Sequence, residues 1–302
     1  MSIGTFLKRR TPRRGWSNTV AATGWGESTY AELAWDKSRG AAKRWGVAGA
    51  LVGGLVGLIA FAPAAWLANG VASATNQRLL LSDARGTIWS GSAVPVLTGG
   101  PGSRDASALP GRMEWTLGLK GLGFELRARQ ACCLNGTVAL QLQPGLGRMN
   151  VTLVPQAGGW VGQWPSAWLG GLGTPFNTLQ LGGAIRLTSP GISFESVQGR
   201  WLVRGRADVE LVNASSRLST LDTLGSYRLT LNGDASNAGT AQLTLTTLEG
   251  ALQLSGSGTW GASGVRFRGE ARAASSDFDI VLSNLLNIIG RRDGARSVIS
   301  IG

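Results

Sequence analysis

Few residues in this 302-residue chain could do chemistry, because it holds no histidine. That excludes a Ser-His-Asp or Cys-His nucleophile and a His-ligated zinc, and it removes the side chain that titrates nearest neutrality. The two cysteines, Cys132 and Cys133, are adjacent. They cannot close a loop with each other, which leaves a vicinal bond, reduced strand residues or an intermolecular bridge. Zinc would need two further ligands of a suitable kind. Asp208 with Glu210, and Asp277 with Asp279, are carboxylate pairs two residues apart. On a strand the first pair shares a face, but beside Arg204 and Arg206 it is a solvated polar face rather than an acid–base site. Gly256-Ser-Gly258-Thr-Trp-Gly261 has the spacing of a dinucleotide-binding turn, which requires a helix after the glycines. Val265-Arg266-Phe267-Arg268 alternates as a strand instead, so a hairpin turn is predicted there. With no G-x-x-x-x-G-K and no G-x-S-x-G sequence, no catalytic residue, cofactor or metal site is predicted. The composition points to a binding or structural protein, not an enzyme.

The elements that would position any site follow from the charge and hydropathy patterns. The length suits at most about two ordinary domains, and 43% hydrophobic residues exclude a disordered chain. Residues 1–46 hold nine basic and three acidic side chains, half of the net charge of +12. Directly after them run 22 uncharged residues, Val47 to Ala68. As a helix this stretch would be about 33 Å long, enough to cross a hydrocarbon core of about 30 Å. The basic tail before it, against Arg78 and Arg85 after it, predicts a cytoplasmic N-terminus. Trp45 and Trp66 would sit near the two interfaces. A signal peptide cut near Ala72-Ser73-Ala74 is the alternative, but the apolar run and its leader are too long for one. An uncleaved signal anchor is predicted, with a cytoplasmic tail over 1–46, a membrane helix over 47–68 and a large domain over 69–302. The tail is disordered by expectation up to a capping-box spacing at Thr29 and Glu32. Trp16, Trp25, Trp35 and Trp45 form no known nucleic-acid module, so no nucleic-acid partner is expected. Gly49, Gly53 and Gly57 recur every four residues and form a flat stripe on which another membrane helix could pack. Pro63 is predicted to kink the last turn.

From residue 69 the pattern changes to period two. Arg112 to Lys120 alternates apolar and polar residues without a break, and about ten to thirteen such segments follow one another between Gly, Asn, Asp, Ser and Pro clusters. The fold class predicted is mainly β, with the antiparallel strands in one curled sheet. An outer-membrane barrel would need longer strands with aromatic girdles, which the sequence lacks. Pro165 to Leu169 suits one helical turn. Phe278 to Ile289 has helical periodicity, with Ser276 or Asp277 to cap it and Gly290 to close it.

Gly86-Thr87-Ile-Trp89-Ser-Gly91 resembles the G-T-x-W-x-G signature of the type II secretion system protein N family. Pro63 to Leu67, Trp115, the turn at Trp168, Leu224 to Tyr227, Glu249 to Gly256 and Leu285 to Gly294, which includes Gly290, resemble the family in consistent order over roughly residues 45–302. The long tail departs from it. The resemblance implies a bacterial inner-membrane protein with a periplasmic β domain. Its implied partners are other type II secretion subunits (the inner-membrane platform and the secretin-linking proteins) and inner-membrane lipid. It carries over no catalytic residue. The chain is also distantly similar to AsmA-like proteins, which implies a lipid-handling trough in the curled sheet as the alternative. Trp89, Trp115 and Trp168 are expected to be core anchors more than contact residues.

Overall fold

A computed structural model describes residues 25–197, 200–233, 239–261 and 264–302. The chain divides into two compact units, residues 1–59 and 60–302. Helix α1 (Trp25–Ala60) belongs to the first. It already runs through residues 25–28, which corrects the disorder expected there, and through Thr29 and Glu32, so that spacing lies inside the helix; the disorder expected over residues 1–24 lies outside the described residues. Its stretch Lys43–Ala60, with mean hydropathy 1.3, is long and apolar enough to cross a membrane and is entirely unburied. The single helix expected over 47–68 is corrected at its C-terminal end. The chain leaves the helix after Ala60, and α2 (Ala64–Ala74) starts behind an extended Pro63 with φ −68° and ψ 147°. Proline cannot donate to the preceding turn. The Ala62 carbonyl accepts from the Ile88 amide, at 2.9 Å. A partner outside the helix turns the predicted kink into a break.

The second unit is mainly β. Its strands are β1 (Leu79–Gly86), β2 (Ser90–Thr98), β3 (Ala106–Ala108), β4 (Met113–Lys120), β5 (Gly123–Arg129), β6 (Thr137–Gly145), β7 (Arg148–Leu153) and β8 (Trp160–Pro165). After a 3₁₀ segment (Ser166–Leu172) and α3 (Phe176–Leu179) come β9 (Leu181–Val197), β10 (Arg200–Ser216), β11 (Gly225–Gly233), β12 (Thr240–Glu249), β13 (Leu252–Gly261) and β14 (Gly264–Ala273). Helix α4 (Ser276–Ile289), β15 (Arg291–Asp293) and β16 (Arg296–Ile301) complete it. All sixteen strands join one antiparallel sheet, ordered β1-β2-β4-β5-β6-β7-β9-β10-β11-β12-β13-β14-β16-β15. The ladder forks twice. β2 pairs β4 through Ser90–Ala93 and β3 through Val96–Thr98. β9 pairs β7 through Ile192–Val197 and β8 through Ala184–Thr188.

The expected curl is corrected: the sheet is long and open, neither closed nor strongly curled. Its two faces divide by side-chain type, as period two requires. Leu117, Leu126, Leu140, Leu153 and Ile192 follow one another in register on the apolar face. Among the described residues, helices cover this face only toward its two ends, in place of closure on itself. Leu67, Ala68 and Val71 of α2 pack on Leu81, Ala93 and Trp115. Leu282, Leu285 and Leu286 of α4 pack on Leu252, Ala271 and Tyr227. Between them lies a core without a helix, centred on Val138, Leu153, Ile192, Val203 and Ala241. There the Phe194 and Trp260 rings meet with centroids 5.9 Å apart, although their strands are four ladder steps apart. Gly205, Gly233 and Ala241, in register between Ile192 and Trp260, leave room for them to lean together.

The segment Gly256–Gly261 is corrected from hairpin turn to strand, because it lies within β13. Its glycines answer to packing: a Cβ at Gly258 would lie 2.8 Å from the Phe267 Cα and 3.0 Å from its ring.

Candidate functional site: the helix exit and the first hairpin

The described residues present no catalytic constellation, and no group of three Cys, Asp or Glu among them could hold a metal ion. The G-T-x-W-x-G motif lies beside the start of the second unit. Gly86-Thr87-Ile88-Trp89-Ser90-Gly91 makes the turn between β1 and β2. The Thr87 amide donates to the Ser90 carbonyl at 2.9 Å, and the Ser90 amide donates to the Thr87 hydroxyl at 3.1 Å. Gly86 sits at φ +86°, a conformation that side chains resist. Pro63 forms an isolated bridge with Thr87 beside the Ala62–Ile88 hydrogen bond. Trp115 reaches up from β4 and donates its indole N–H to the Ile88 carbonyl at 3.2 Å. The Leu117 amide donates to the Trp89 carbonyl at 2.7 Å, and the Trp89 ring lies 6.3 Å from that of Phe124. The turn thus holds the chain just after α1 on one side and β4 on the other.

Trp115 is buried at 3% exposure, whereas Trp89 and Trp168 are half-buried. Trp168 lies in the 3₁₀ segment, where its buried indole N–H has no hydrogen-bond partner among the described residues. Gly290 stops α4 in an extended conformation, φ −163°, where a Cβ would lie 2.9 Å from the Val298 carbonyl carbon. These motif positions are spread along the sheet and form no common pocket. Gly49, Gly53 and Gly57 lie on α1 with nothing within 4 Å of a Cβ built on each.

The polar face carries paired charges. Asp208 accepts from Arg206 and Thr230, and Glu210 from Arg228 at 2.7 Å, while Arg204 pairs with Glu195, so the carboxylate pair is held by arginines but is half-buried and not the solvated face expected. A cleft of about 660 Å³ on this face is lined by Arg85, Glu114, Thr116, Arg127 and Arg129 and holds no nucleophile paired with a base. Hydrogen bonding from Lys120, opposed by burial and reinforced by Arg127, holds the Glu125 carboxyl below its usual range. Burial pushes Asp208 upward, but Thr230 and Arg206 outweigh it and leave its carboxyl below the usual range. Groups with depressed folded values stabilise the fold above their unfolded value and lose that contribution as pH falls through the folded value. The urea midpoint is therefore expected to stay level down to about pH 5 and to fall below about pH 4. Glu125→Gln should make that fall shallower, and an unchanged acid limb would remove Glu125 from the account.

Cys132 and Cys133 are bonded to each other. The alternatives left by the sequence resolve to the vicinal disulfide. It sits in the turn after β5, whose Cys133 carbonyl accepts from the Gln163 amide at 2.8 Å, tying the turn to β8.

A family model described as "Type II secretion system (T2SS), protein N" matches residues 77–299. The chain belongs to this family. The type II secretion system protein N match covers the sheet from just after α2 to β16, and it contains Gly86, Thr87, Trp89, Gly91, Trp168 and Gly290. The family is one of secretion-system components, not of enzymes. No curated protein and no solved structure matches the chain.

Proposed function

We propose that this chain is an inner-membrane tether of the type II secretion system, holding platform subunits together during protein export across the outer membrane. The family match carries the reading, and the apolar stretch of α1 supports the membrane anchor. The basic tail favours a cytoplasmic N-terminus and a periplasmic sheet. In this reading the Gly49, Gly53 and Gly57 stripe packs against a membrane helix of another subunit. Strand addition at the sheet edges, or charge on its arginine-rich face, would engage platform and secretin-linking subunits. Deleting the gene and following a known secreted enzyme tests the proposal. The expected result is retention of the enzyme in the periplasm; export at the normal rate would overturn an essential role.

One observation favours a second reading, a lipid-handling module. Among the described residues no helix covers the apolar face between α2 and α4, and Leu126, Leu140 and Leu142 on it are half-buried. Stoichiometric phospholipid retained by the gently purified protein would favour that reading over the tether.

A further inference from the structure

Alternate turns of an antiparallel meander fall at the same end of its sheet. At the end where Ala62 and Pro63 meet the first hairpin, the turns are Thr87–Trp89, the β4–β5 turn and the β6–β7 turn. The latter two repeat one sequence, Gly121-Leu122-Gly123 and Gly145-Leu146-Gly147, with Lys120 before the first and Arg148 after the second. Leu122 and Leu146 are fully exposed, and Leu119 beside them is 80% exposed. Turn apices ordinarily carry polar residues or glycine. One bare apical leucine would be unremarkable; two at one end of one sheet, each framed by glycines and a cation, are a pattern. Arg148 and Arg200 flank Val197 in a single register row at that same end. In the next row Met149 and Trp201 are the apolar-face residues, and both are exposed.

We propose that this end of the sheet rests on the membrane surface, with Leu122 and Leu146 in the boundary between headgroups and acyl chains. Arg148 and Arg200 would then meet lipid phosphates, as cations beside apolar side chains do at an interface. The inference rests on the membrane-anchor reading of α1. The occupant follows from the path of the chain: only Phe61, itself 79% exposed, separates the end of α1 at Ala60 from Ala62, which the first hairpin already holds.

The test places the photo-crosslinker benzoylphenylalanine at position 55, 122, 146 or 248 of the full chain in inner membranes, with adducts identified by mass spectrometry. Leu55 lies in α1, and Leu248 is exposed at the opposite end of the sheet. Lipid adducts are expected from positions 55, 122 and 146 and not from 248. Lipid adducts at 55 alone would overturn this inference and leave the membrane anchor standing. Their absence from 55 as well would overturn the anchor and, with it, the inference. Protein adducts at 122 and 146 in place of lipid would overturn it in favour of a subunit contact.

Discussion

Gly91→Ala is expected to lower the stability of the sheet domain by about 3 kcal/mol, the upper end for overpacking a filled site. A Cβ at this position would lie 2.6 Å from Cζ2 of Trp115, 2.7 Å from the Arg85 carbonyl and 2.9 Å from the Thr87 carbonyl. Two of the three neighbours are backbone, and the third is a buried indole whose N–H is committed to Ile88. None can give way without parting β2 from β4 or opening the hairpin. Gly118 provides the control. It lies on β4 with nothing within 4 Å of a built Cβ, so Gly118→Ala should change stability by less than about 0.5 kcal/mol. Urea denaturation of the detergent-solubilised chain, followed by tryptophan fluorescence, measures both. Equal midpoints for the two variants would show that the turn is not held as described.

The second large effect is expected from α4. Leu285→Ala should lower stability by about 3 kcal/mol, in the range for emptying a buried leucine site. Leu285 is 1% exposed among Leu252, Ala271, Leu282 and Leu286, and the Ser297 hydroxyl donates to the Leu286 carbonyl at 2.6 Å, fixing the helix on β16. Ile280 lies on the outer side of the same helix at 83% exposure, so Ile280→Ala should change little. The same denaturation experiment separates them. A large loss from Ile280→Ala instead would mean that a second surface covers α4.

Most of the sheet was legible because each strand buries one face. β4 falls within the alternating run that starts at Arg112, and α4 was legible from its helical periodicity, although it starts at Ser276 behind Ser275, so the expected caps Ser276 and Asp277 lie inside the helix. What the sequence concealed was decided by distant partners. Pro63 is compatible with a kink or a break, and the Ala62–Ile88 hydrogen bond, between residues 26 positions apart, selects the break. β9 runs on through Pro190-Gly191, where local rules would end a strand. The Ser189 hydroxyl accepts from the Gly191 amide and donates to the Arg206 carbonyl, carrying the ladder past the irregularity. The glycines of β13 look like turn residues until the Phe267 ring is placed over them. As for the candidate site, the G-T-x-W-x-G turn was visible as a motif. The tie from that turn to the helix exit was not, since nothing in Ala62 or Pro63 names Ile88 as a partner.

The fork at β2 and β9 gives these two strands two separate connections. One is the four-strand route through β4 to β7. The other is β3, the 3₁₀ segment with α3, and β8, fastened where the Ser166 hydroxyl shares its proton between the Leu181 and Gly183 carbonyls and the Asn177 side-chain Nδ2 donates to Asp105. Mechanically these are struts in parallel. A pull between the first hairpin and the long strands β9 and β10 is shared between them, and loosening one leaves the other to carry the load. A single ladder has no such reserve, because its weakest pair of strands sets its strength.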